Sequence, residues 1–200
     1  MRFFNKYYFA GLGSGIVLTI LVIVIFAYIQ FKQISQDVGT MTYQLPLPTF
    51  PTSSQRSIYG QVDYSWSLQS LEGTEVELSQ FRGKVIFLNL WATWCGPCVA
   101  EMPSIQELYN LVGDEGIVFL MISDEDRETV GDFVEKEGFS FPVYLSQNKI
   151  FDDDDFPDLL KTRGIPTTYI IDSDGWVIFR HVGSAKWDDE SCRDFLQSLI

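Results

Sequence analysis

The sequence predicts an α/β fold in which a mixed central β-sheet carries helices on both faces. Two nearly continuous apolar runs, residues 84–92 and 117–123, have the composition of strands buried inside a sheet. Between them, apolar side chains recur at helical spacing from Val99 to Leu111. A strand, a helix and a second strand in this order form a right-handed parallel crossover. Two later strands joined by an Asp-Gly turn add an antiparallel pair, which makes the sheet mixed.

An apolar segment precedes this domain and predicts a membrane anchor. Residues 9–29 are almost entirely apolar and are long enough to cross the hydrocarbon core as a helix. A cleaved secretory signal is the alternative, but its apolar region is usually about 7–15 residues long and ends in a small-x-small cleavage site. This segment is longer and has no such site. We therefore expect a single uncleaved transmembrane helix.

Basic residues predict the orientation of this anchor. Arg2 and Lys6 precede it, whereas Lys32 is the only nearby cation that follows it. The positive-inside rule then places residues 1–8 in the cytoplasm and the rest of the chain on the periplasmic side of the cell membrane. Disulfide chemistry is permitted in that compartment.

Residues 30–57 are predicted to tether the anchor to an outer domain that spans residues 58–200. The tether lacks sustained apolar periodicity and contains LPLPTFP, whose prolines favour an extended backbone. A stiff spacer is the simpler interpretation, and a proline-rich recognition motif is the alternative.

The first elements of the outer domain follow from turns and apolar runs. The Glu72–Gly73 pair predicts a hairpin at the edge of the sheet, formed by residues 63–78. Residues 84–92 are expected to form a central strand, because both of its faces are apolar. The helix after this strand is expected to end at Gly113, before the strand at residues 117–123.

In the second half of the domain, predicted helices and strands continue to alternate. The acidic cluster 124–128 opens another helix, and residues 141–145 form a short strand. Four successive aspartates at 152–155 repel one another and indicate a solvated loop. Residues 167–182 are predicted to form a hairpin, and residues 188–200 a C-terminal helix with acidic residues at its start.

Charge and composition exclude some partners. Fourteen basic against 27 acidic side chains give a net charge of −13, which repels phosphate backbones, so we expect no nucleic acid partner. Three cysteines and one histidine argue against a structural zinc site, because four such ligands would have to converge from distant segments. We expect no metal and no cofactor.

Cys192 shares a helix face with apolar residues, which favours a buried inert thiol; an intermolecular disulfide is the alternative.

Cys95 and Cys98 lie where the central strand is predicted to become a helix. Unpaired backbone N–H groups and the positive end of the helix dipole favour a thiolate at Cys95, which is therefore the candidate nucleophile. Cys98 follows one helical turn later, close enough to close a disulfide and to resolve a mixed disulfide. Pro97, in the first turn, has no amide hydrogen to lose. A purely structural disulfide is the alternative, but so short a loop restricts the unfolded chain little.

Two motifs carry a resemblance to a known superfamily. WCGPC at residues 94–98 resembles the active-site motif of the thioredoxin superfamily, and GIPTT at residues 164–168 resembles its second signature. The resemblance implies a thioredoxin-like fold with an N-terminal β-hairpin extension and a cis-proline at Pro166 that faces the cysteines. An ordinary trans proline that opens a strand is the alternative. The superfamily also implies that Pro166 and the backbone of Ile165 line the groove where a substrate peptide pairs by strand addition.

A longer stretch, FRGKVIFLNLWATWCGPCVAEMP, resembles the membrane-anchored TlpA/ResA-like branch, whose members are thiol-disulfide oxidoreductases of the bacterial envelope. Thioredoxin carries a buried aspartate six residues before its first active cysteine, whereas this sequence has Asn89 there. Glu101, three residues after Cys98, is the acid that the TlpA/ResA-like pattern supplies instead. We hypothesise that Glu101 relays a proton for Cys98. A helix-start charge that favours the dipole is the alternative.

The resemblance also implies a substrate surface. Trp94, Gly96 and Pro97 are expected to contact the substrate together with the cis-proline loop. The Gly-Pro dipeptide resembles that of reducing thioredoxins, so a protein-disulfide reductant is expected. In this branch, such a reductant receives electrons from a CcdA- or DsbD-like membrane thiol transporter, and many members serve cytochrome c maturation.

Three rival functions stay open at this stage. A disulfide-forming oxidant and a peroxiredoxin-like peroxidase share the fold, although the peroxidase pattern PxxxTxxC is not matched. A non-enzymatic copper-delivery module is the third, although it would pair a CxxxC site with a distant histidine, and the spacing here is CxxC.

Overall fold

The computed structural model describes residues 19–30, 32, 44–51, 59–151 and 156–200. Helix α1 covers the described residues 19–30, and its large apolar side chains from Ile20 to Ile29 are exposed. Within the described ranges, no helix is both long enough and apolar enough to cross a membrane. The first half of the predicted anchor, most of the predicted tether and the four aspartates at 152–155 lie outside the described residues.

A mixed sheet forms the centre of the domain. Its eight described strands are β1 (Gly60–Gln61), β2 (Ser67–Ser70), β3 (Glu75–Glu77), β4 (Val85–Leu90), β5 (Ile117–Ser123), β6 (Val143–Leu145), β7 (Thr167–Ile171) and β8 (Trp176–Val182). Their order across the sheet is β1-β8-β7-β4-β5-β6-β2-β3. The β4–β5 and β5–β6 pairs are parallel and the other pairs are antiparallel. The predicted mixed sheet is confirmed.

Strand β4 lies near the middle of the sheet, as its composition predicts. All six of its residues are buried, and it pairs with β5 on one side and β7 on the other. The predicted edge hairpin is β2–β3, which joins the sheet through β6. Gly73 in its turn has a φ of +94°, a conformation that favours glycine. From the C-terminal end of β4, the chain continues into the next helix.

The described part of the domain contains three α-helices, α2 (Gly96–Val112), α3 (Arg127–Glu137) and α4 (Glu190–Gln197). Side-chain caps start the last two, since Asp126 accepts from the Thr129 amide and Asp189 accepts from the Ser191 amide. All three helices contribute to one buried cluster, which also contains Phe87 of β4. They therefore pack on the same side of the sheet.

The opposite side of the sheet differs from the expectation of helices on both faces. In the described residues, the buried cluster on this side includes Leu78, Ile150, Phe156 and Leu160, and its only helical turns are the short 3₁₀ helices Leu78–Phe81 and Asp158–Leu160. Pro157 at the start of the second has no N–H to donate, and the aspartate-rich sequence before it disfavours a packed helix. Short 3₁₀ turns and loop residues, and no α-helix among the described residues, thus cover this face.

Residues 45–51 belong to the compact domain, which begins at Leu45 and not at the predicted residue 58. Phe50 packs against Phe179 and Phe195, with ring centroids 4.7 Å apart in each pair. The Pro46 carbonyl accepts a hydrogen bond of 2.9 Å from the Lys186 amide. The proline-rich composition predicts only a spacer. It carries no information on contacts with distant parts of the sequence, such as those that Phe50 makes.

Candidate active site

Cys95 lies at the junction of the central sheet and helix α2. It occupies the N-cap position, and its Sγ accepts a hydrogen bond of 3.2 Å from the Cys98 backbone N–H. Pro97 occupies the first turn, where its missing N–H costs nothing. Cys95 and Cys98 form a disulfide, with Cα atoms 5.2 Å apart. The structure therefore brings together the two cysteines that the spacing predicts as a redox pair.

The surface around the disulfide is apolar and accessible, whereas the cysteines are not. Cys95 is 5% exposed and Cys98 is 1% exposed. Trp94 is 67% exposed, and Gly96 and Pro97 are also exposed. Trp94, Gly96 and Pro97 thus form the outer surface, whereas Ile165 is half-buried and Pro166 is buried. Cys95 is the more exposed of the two cysteines.

The cis-proline loop faces the disulfide. The Ile165–Pro166 peptide bond is cis, which confirms that prediction. The carbonyl oxygen of Ile165 lies 3.7 Å from the Cys95 Sγ. The Pro166 carbonyl accepts a hydrogen bond of 2.8 Å from the Gly183 amide, which ties the loop to the end of β8. Backbone groups for pairing with an extended peptide therefore lie directly beside the candidate nucleophile.

Threonine hydroxyls fix the shape of this loop. Thr167 Oγ1 donates to the Gly164 carbonyl at 2.7 Å and lies 2.9 Å from Thr162 Oγ1. These bonds connect the residues before the cis-proline to the first residue of β7. The loop is consequently held by its own sequence and by the sheet.

Glu101 is fully buried, one helical turn after Cys98 on α2. Its Oε1 accepts from Asn89 Nδ2 at 2.9 Å, and its Oε2 accepts from the Ala185 amide at 3.0 Å and from Trp187 Nε1 at 2.8 Å. Asn89 Nδ2 also donates to Thr168 Oγ1 at 2.9 Å, which links β4 to β7. Glu101 lies beyond the first turn of α2, which contains no acidic residue, so the alternative of a helix-start charge that favours the dipole is wrong.

Burial raises the pKa of Glu101 to about 7, while its three hydrogen bonds act in the opposite direction. A carboxyl group with this pKa is present in both its protonated and its ionised form near neutral pH, whereas a glutamate with the ordinary pKa of 4.5 is almost fully ionised there. The same network leaves Asn89 Oδ1 buried without a hydrogen-bond partner. The polar groups around Glu101 are thus directed mainly at its carboxylate.

Glu125 and Trp187 also shape the site, although no motif in the sequence identifies them. Glu125, after β5, accepts from the Thr93 amide at 2.6 Å and from the Thr93 hydroxyl at 2.7 Å. These bonds fix the loop two residues before Cys95. Glu125 belongs to an acidic run that predicts only a helix start, and Trp187 is separated from Glu101 by most of the domain. Neither partnership is local enough for a motif to reveal it.

Trp91 and Cys192 belong to the buried core of the domain. Trp91 is fully buried and packs on Phe133, with ring centroids 5.6 Å apart. Cys192 is a free thiol whose pKa is raised by burial. Its predicted burial is confirmed, and its inertness stays a prediction. Among the residues that the structure describes, no group of three or more acidic, histidine or cysteine side chains is arranged to hold a metal ion.

The comparison with known proteins identifies the family. The model of the Redoxin family matches residues 47–196. The chain belongs to the Redoxin family. Two similar relatives are thiol-disulfide oxidoreductases ResA. The Bacillus thuringiensis protein is 35% identical over 131 residues, covering 64% of this chain and 71% of the relative. The Bacillus cereus protein is 33% identical over 149 residues, covering 72% and 79%.

Solved structures agree with this assignment at the level of the fold. A crystal structure of a putative thiol:disulfide interchange protein DsbE from Chlorobium tepidum superposes with a TM-score of 0.58 at 24% identity, covering 72% of this chain and 99% of that chain. The Redoxin-family protein is therefore a TlpA/ResA-like member of the thioredoxin superfamily and a thiol-disulfide oxidoreductase. Its candidate redox centre is the Cys95–Cys98 pair.

Proposed function

We propose that the protein is a membrane-anchored, extracytoplasmic reductant of protein disulfides. The observation that carries the proposal is the combination of a Cys95–Cys98 disulfide beside the cis-Pro166 loop with a fully buried Glu101 one turn further along α2. The first part supplies a dithiol that a peptide can reach, and the second supplies a proton acceptor for the less accessible cysteine.

The proposed reaction has two thiol-disulfide exchange steps. The Cys95 thiolate attacks one sulfur of a substrate disulfide, the substrate S–S bond breaks, and the other substrate sulfur leaves as a thiolate that takes up a proton. Cys98 then loses its proton and attacks the Cys95 sulfur, which releases the second substrate thiolate. Two electrons pass to the substrate, and the enzyme ends with the Cys95–Cys98 disulfide that the structure contains.

Glu101 is proposed to accept the proton that Cys98 loses. Cys98 is 1% exposed, so bulk water has little access to its thiol. Burial places the pKa of Glu101 at about 7, so its carboxylate form is available at neutral pH and its acid form is also accessible. The proposal requires the reduced Cys98 Sγ to come within hydrogen-bond reach of Glu101, directly or through one water.

The active-site dipeptide supports the reducing direction. Gly96 and Pro97 offer no side-chain donor to a thiolate, and strongly oxidising members of the superfamily owe their oxidising power to a stabilised reduced form. A negative charge on Glu101, one turn from Cys98, further disfavours a Cys98 thiolate. A dithiol that is less stabilised gives up its electrons more readily.

The location and the electron donor are proposed on separate grounds. The exposed apolar side chains of α1 and the apolar sequence of residues 9–29 support a single membrane anchor with the catalytic domain on the periplasmic side. A reductant in that compartment needs electrons from across the membrane, so a CcdA- or DsbD-like thiol transporter is the proposed donor. The resemblance to the TlpA/ResA-like branch further suggests apocytochrome c as a substrate.

A trapping experiment tests the proposed function. Cys98→Ala in the full chain leaves Cys95 without a resolving thiol, so mixed disulfides with substrates should accumulate in cells. Cys95→Ala is the matched control, because it leaves one cysteine in the pair but removes the attacking one. Partners recovered with Cys98→Ala and absent from Cys95→Ala are the expected result. Equal recovery from both variants, or none from either, would contradict the attacking role of Cys95.

A labelling experiment tests the proposed location. In intact cells, a membrane-impermeant reductant first releases the trapped partners, and a membrane-impermeant maleimide should then label Cys95 of the Cys98→Ala variant, because Cys95 is on the outer side of the membrane and Cys192 is buried. Labelling that appears only after the cells are lysed would place the domain in the cytoplasm and overturn this part of the proposal.

A further inference from the structure

We propose that a cationic cleft beside the cis-proline loop binds an acidic segment of the protein substrate, within a few residues of the cysteine that is attacked. This inference rests on the proposed function, because the acidic segment is taken to belong to the same polypeptide as the disulfide. It names a chemical class of substrate that the redox centre by itself does not specify.

The cleft lies between the loop that leads to Pro166 and the end of β8. It has a volume of about 660 Å³ and is lined by Tyr59, Lys161, Thr162, Arg163, Arg180 and Val182. Arg180 pairs with Tyr169 and Val182 pairs with Thr167 in the β7–β8 ladder. Three of the six lining side chains are cations, in a chain with 14 basic and 27 acidic residues. Such a concentration of positive charge is contrary to the overall charge of the protein.

The two arginines have no acidic partner in the part of the chain that the structure describes. Lys161 Nζ contacts Asp158 Oδ1 at 2.7 Å, whereas the described ion pairs include neither Arg163 nor Arg180. Arg180 Nε is buried without a hydrogen-bond partner, and one terminal nitrogen of the same guanidinium donates to the Lys161 carbonyl at 3.3 Å. The Arg180 guanidinium also lies 5.7 Å from the centre of the Tyr169 ring, and its buried Nε is out of reach of a ligand. A substrate carboxylate in the cleft would therefore meet the other N–H groups of Arg180 and the exposed guanidinium of Arg163.

The cleft is close to the reacting sulfur along the chain. Arg163 precedes Ile165 by two residues, and the Ile165 carbonyl lies 3.7 Å from Cys95 Sγ. Two or three extended residues span about 7–10 Å. A substrate strand that pairs with the backbone of the cis-proline loop would therefore place a side chain two to four residues from its cysteine at the cleft.

A polypeptide fits this surface better than a free anion does. Tyr59 is 50% exposed and Val182 is 55% exposed, so the cleft offers apolar surface beside its positive charge. Aspartate and glutamate on an extended peptide present a carboxylate together with aliphatic and backbone groups. The long-range attraction would also steer an acidic substrate past the otherwise negative surface of the enzyme.

The test compares two synthetic peptides that differ only in charge. Both contain the same intramolecular disulfide, one flanked by aspartates and the other by asparagines at the same positions. The full chain, purified in a neutral detergent and reduced, is mixed with each peptide, and the kcat/KM for disulfide reduction is measured. We expect the aspartate peptide to be preferred by about tenfold at low salt, with the ratio falling toward one in about 0.5 M salt.

Variants assign this preference to the cleft. Arg163→Gln and Arg180→Gln should each reduce the aspartate-to-asparagine ratio several-fold, and Arg180→Lys should retain most of it because the charge remains. Arg163 is exposed, so its replacement tests the cleft even if Arg180→Gln impairs folding. Arg193→Gln is the matched control. Arg193 lies on α4 in an ion pair with Glu190 at 3.6 Å, and its loss changes the net charge equally but should leave the ratio unchanged.

The outcomes separate this inference from the proposed function. Equal reduction of both peptides, or an aspartate preference that survives both arginine replacements, would overturn the cleft and leave the reductant intact. Failure to reduce either peptide would overturn the proposed function and the cleft with it. A preference that Arg163→Gln weakens and Arg193→Gln preserves would establish charge recognition beside the cis-proline loop.

Discussion

Trp187 Nε1 donates a hydrogen bond of 2.8 Å to Glu101 Oε2 inside the core of the domain. Both side chains are fully buried. The bond connects the loop after β8 to helix α2, one turn beyond Cys98. It stabilises the charged form of a carboxyl group whose pKa burial raises, so Trp187 is a positioning residue for the proposed proton acceptor.

Replacement of Trp187 tests this relationship. Trp187→Phe removes the indole donor and keeps an aromatic ring, so the pKa of Glu101 should rise further above its value of about 7. The pH at which Cys98 becomes competent to resolve a mixed disulfide should move upward with it. The measurement is the pH profile of resolution in single-turnover experiments with the reduced full chain.

Trp66→Phe is the control for this replacement. Trp66 is also a buried tryptophan, but its Nε1 has no hydrogen-bond partner among the described residues, and it lies in the cluster on the other side of the sheet. Trp66→Phe should change the stability of the domain without moving the pH profile of mixed-disulfide resolution. Equal shifts in the two variants would show that the effect of Trp187 is general packing and not its bond to Glu101.

Glu101 also predicts a pH dependence of stability. Its pKa is raised from 4.5 to about 7, so the native state holds a proton that the unfolded chain has lost throughout this window. The contribution to stability is therefore complete below about pH 4.5 and lost as the pH rises to about 7, on the order of 3 kcal/mol in total. Glu101→Gln should remove this slope.

The measured quantity is the difference in the free energy of unfolding between wild type and Glu101→Gln across this pH range. A difference is needed because other carboxyl groups also titrate: Asp126 and Asp189 have lowered pKa values, and their contributions to stability are lost as the pH falls toward the acid end of the titration. Glu107→Gln, an exposed position on the same helix, controls for the loss of one charge. A difference curve that stays flat between pH 4.5 and 7 would refute the raised pKa.

The contact between Glu125 and Thr93 predicts an effect on thiol exchange without any change in the cysteines. Glu125→Ala removes both acceptors of the Thr93 amide and hydroxyl, so the loop before Cys95 should loosen. We expect a loss of stability of about 1–3 kcal/mol and a slower reaction of Cys95 with a neutral small disulfide. Stopped-flow kinetics and urea denaturation measure the two effects.

Glu128→Ala serves as the comparison for Glu125. Glu128 belongs to the same acidic run but is exposed in the first turn of α3. Its replacement should leave the exchange rate near that of wild type. If both variants react at the wild-type rate, the contact with Thr93 does not position the nucleophile.

Local patterns in the sequence predict the elements of the domain well. The apolar run delimits the strand Ile117–Ser123, and the Asp-Gly turn predicts the β7–β8 hairpin, because buried strands and tight turns have local signatures. The N-cap position of Cys95 follows from the same logic, since a buried strand ends where a helical pattern begins. The cis bond at Pro166 was predicted from the resemblance of GIPTT and not from any local propensity.

Contacts between residues that are distant in the sequence could not be predicted. The donors that hold Glu101 are Asn89, Ala185 and Trp187, which come from β4 and from the loop after β8. No periodicity within α2 reveals that its carboxylate meets three donors from elsewhere. The packing of Phe50 on the domain escaped prediction for the same reason, because its partners lie more than a hundred residues further along the chain.

The most direct test of the account is the reduction potential of the Cys95–Cys98 pair. The full chain in detergent is equilibrated with dithiothreitol or glutathione buffers, and the two thiols are counted by alkylation after denaturation, with Cys192 adding one constant label. A reductant of protein disulfides should have a potential of about −250 mV or lower. A potential of about −180 mV or higher, the range of isomerases and oxidants, would contradict the proposed direction of electron flow.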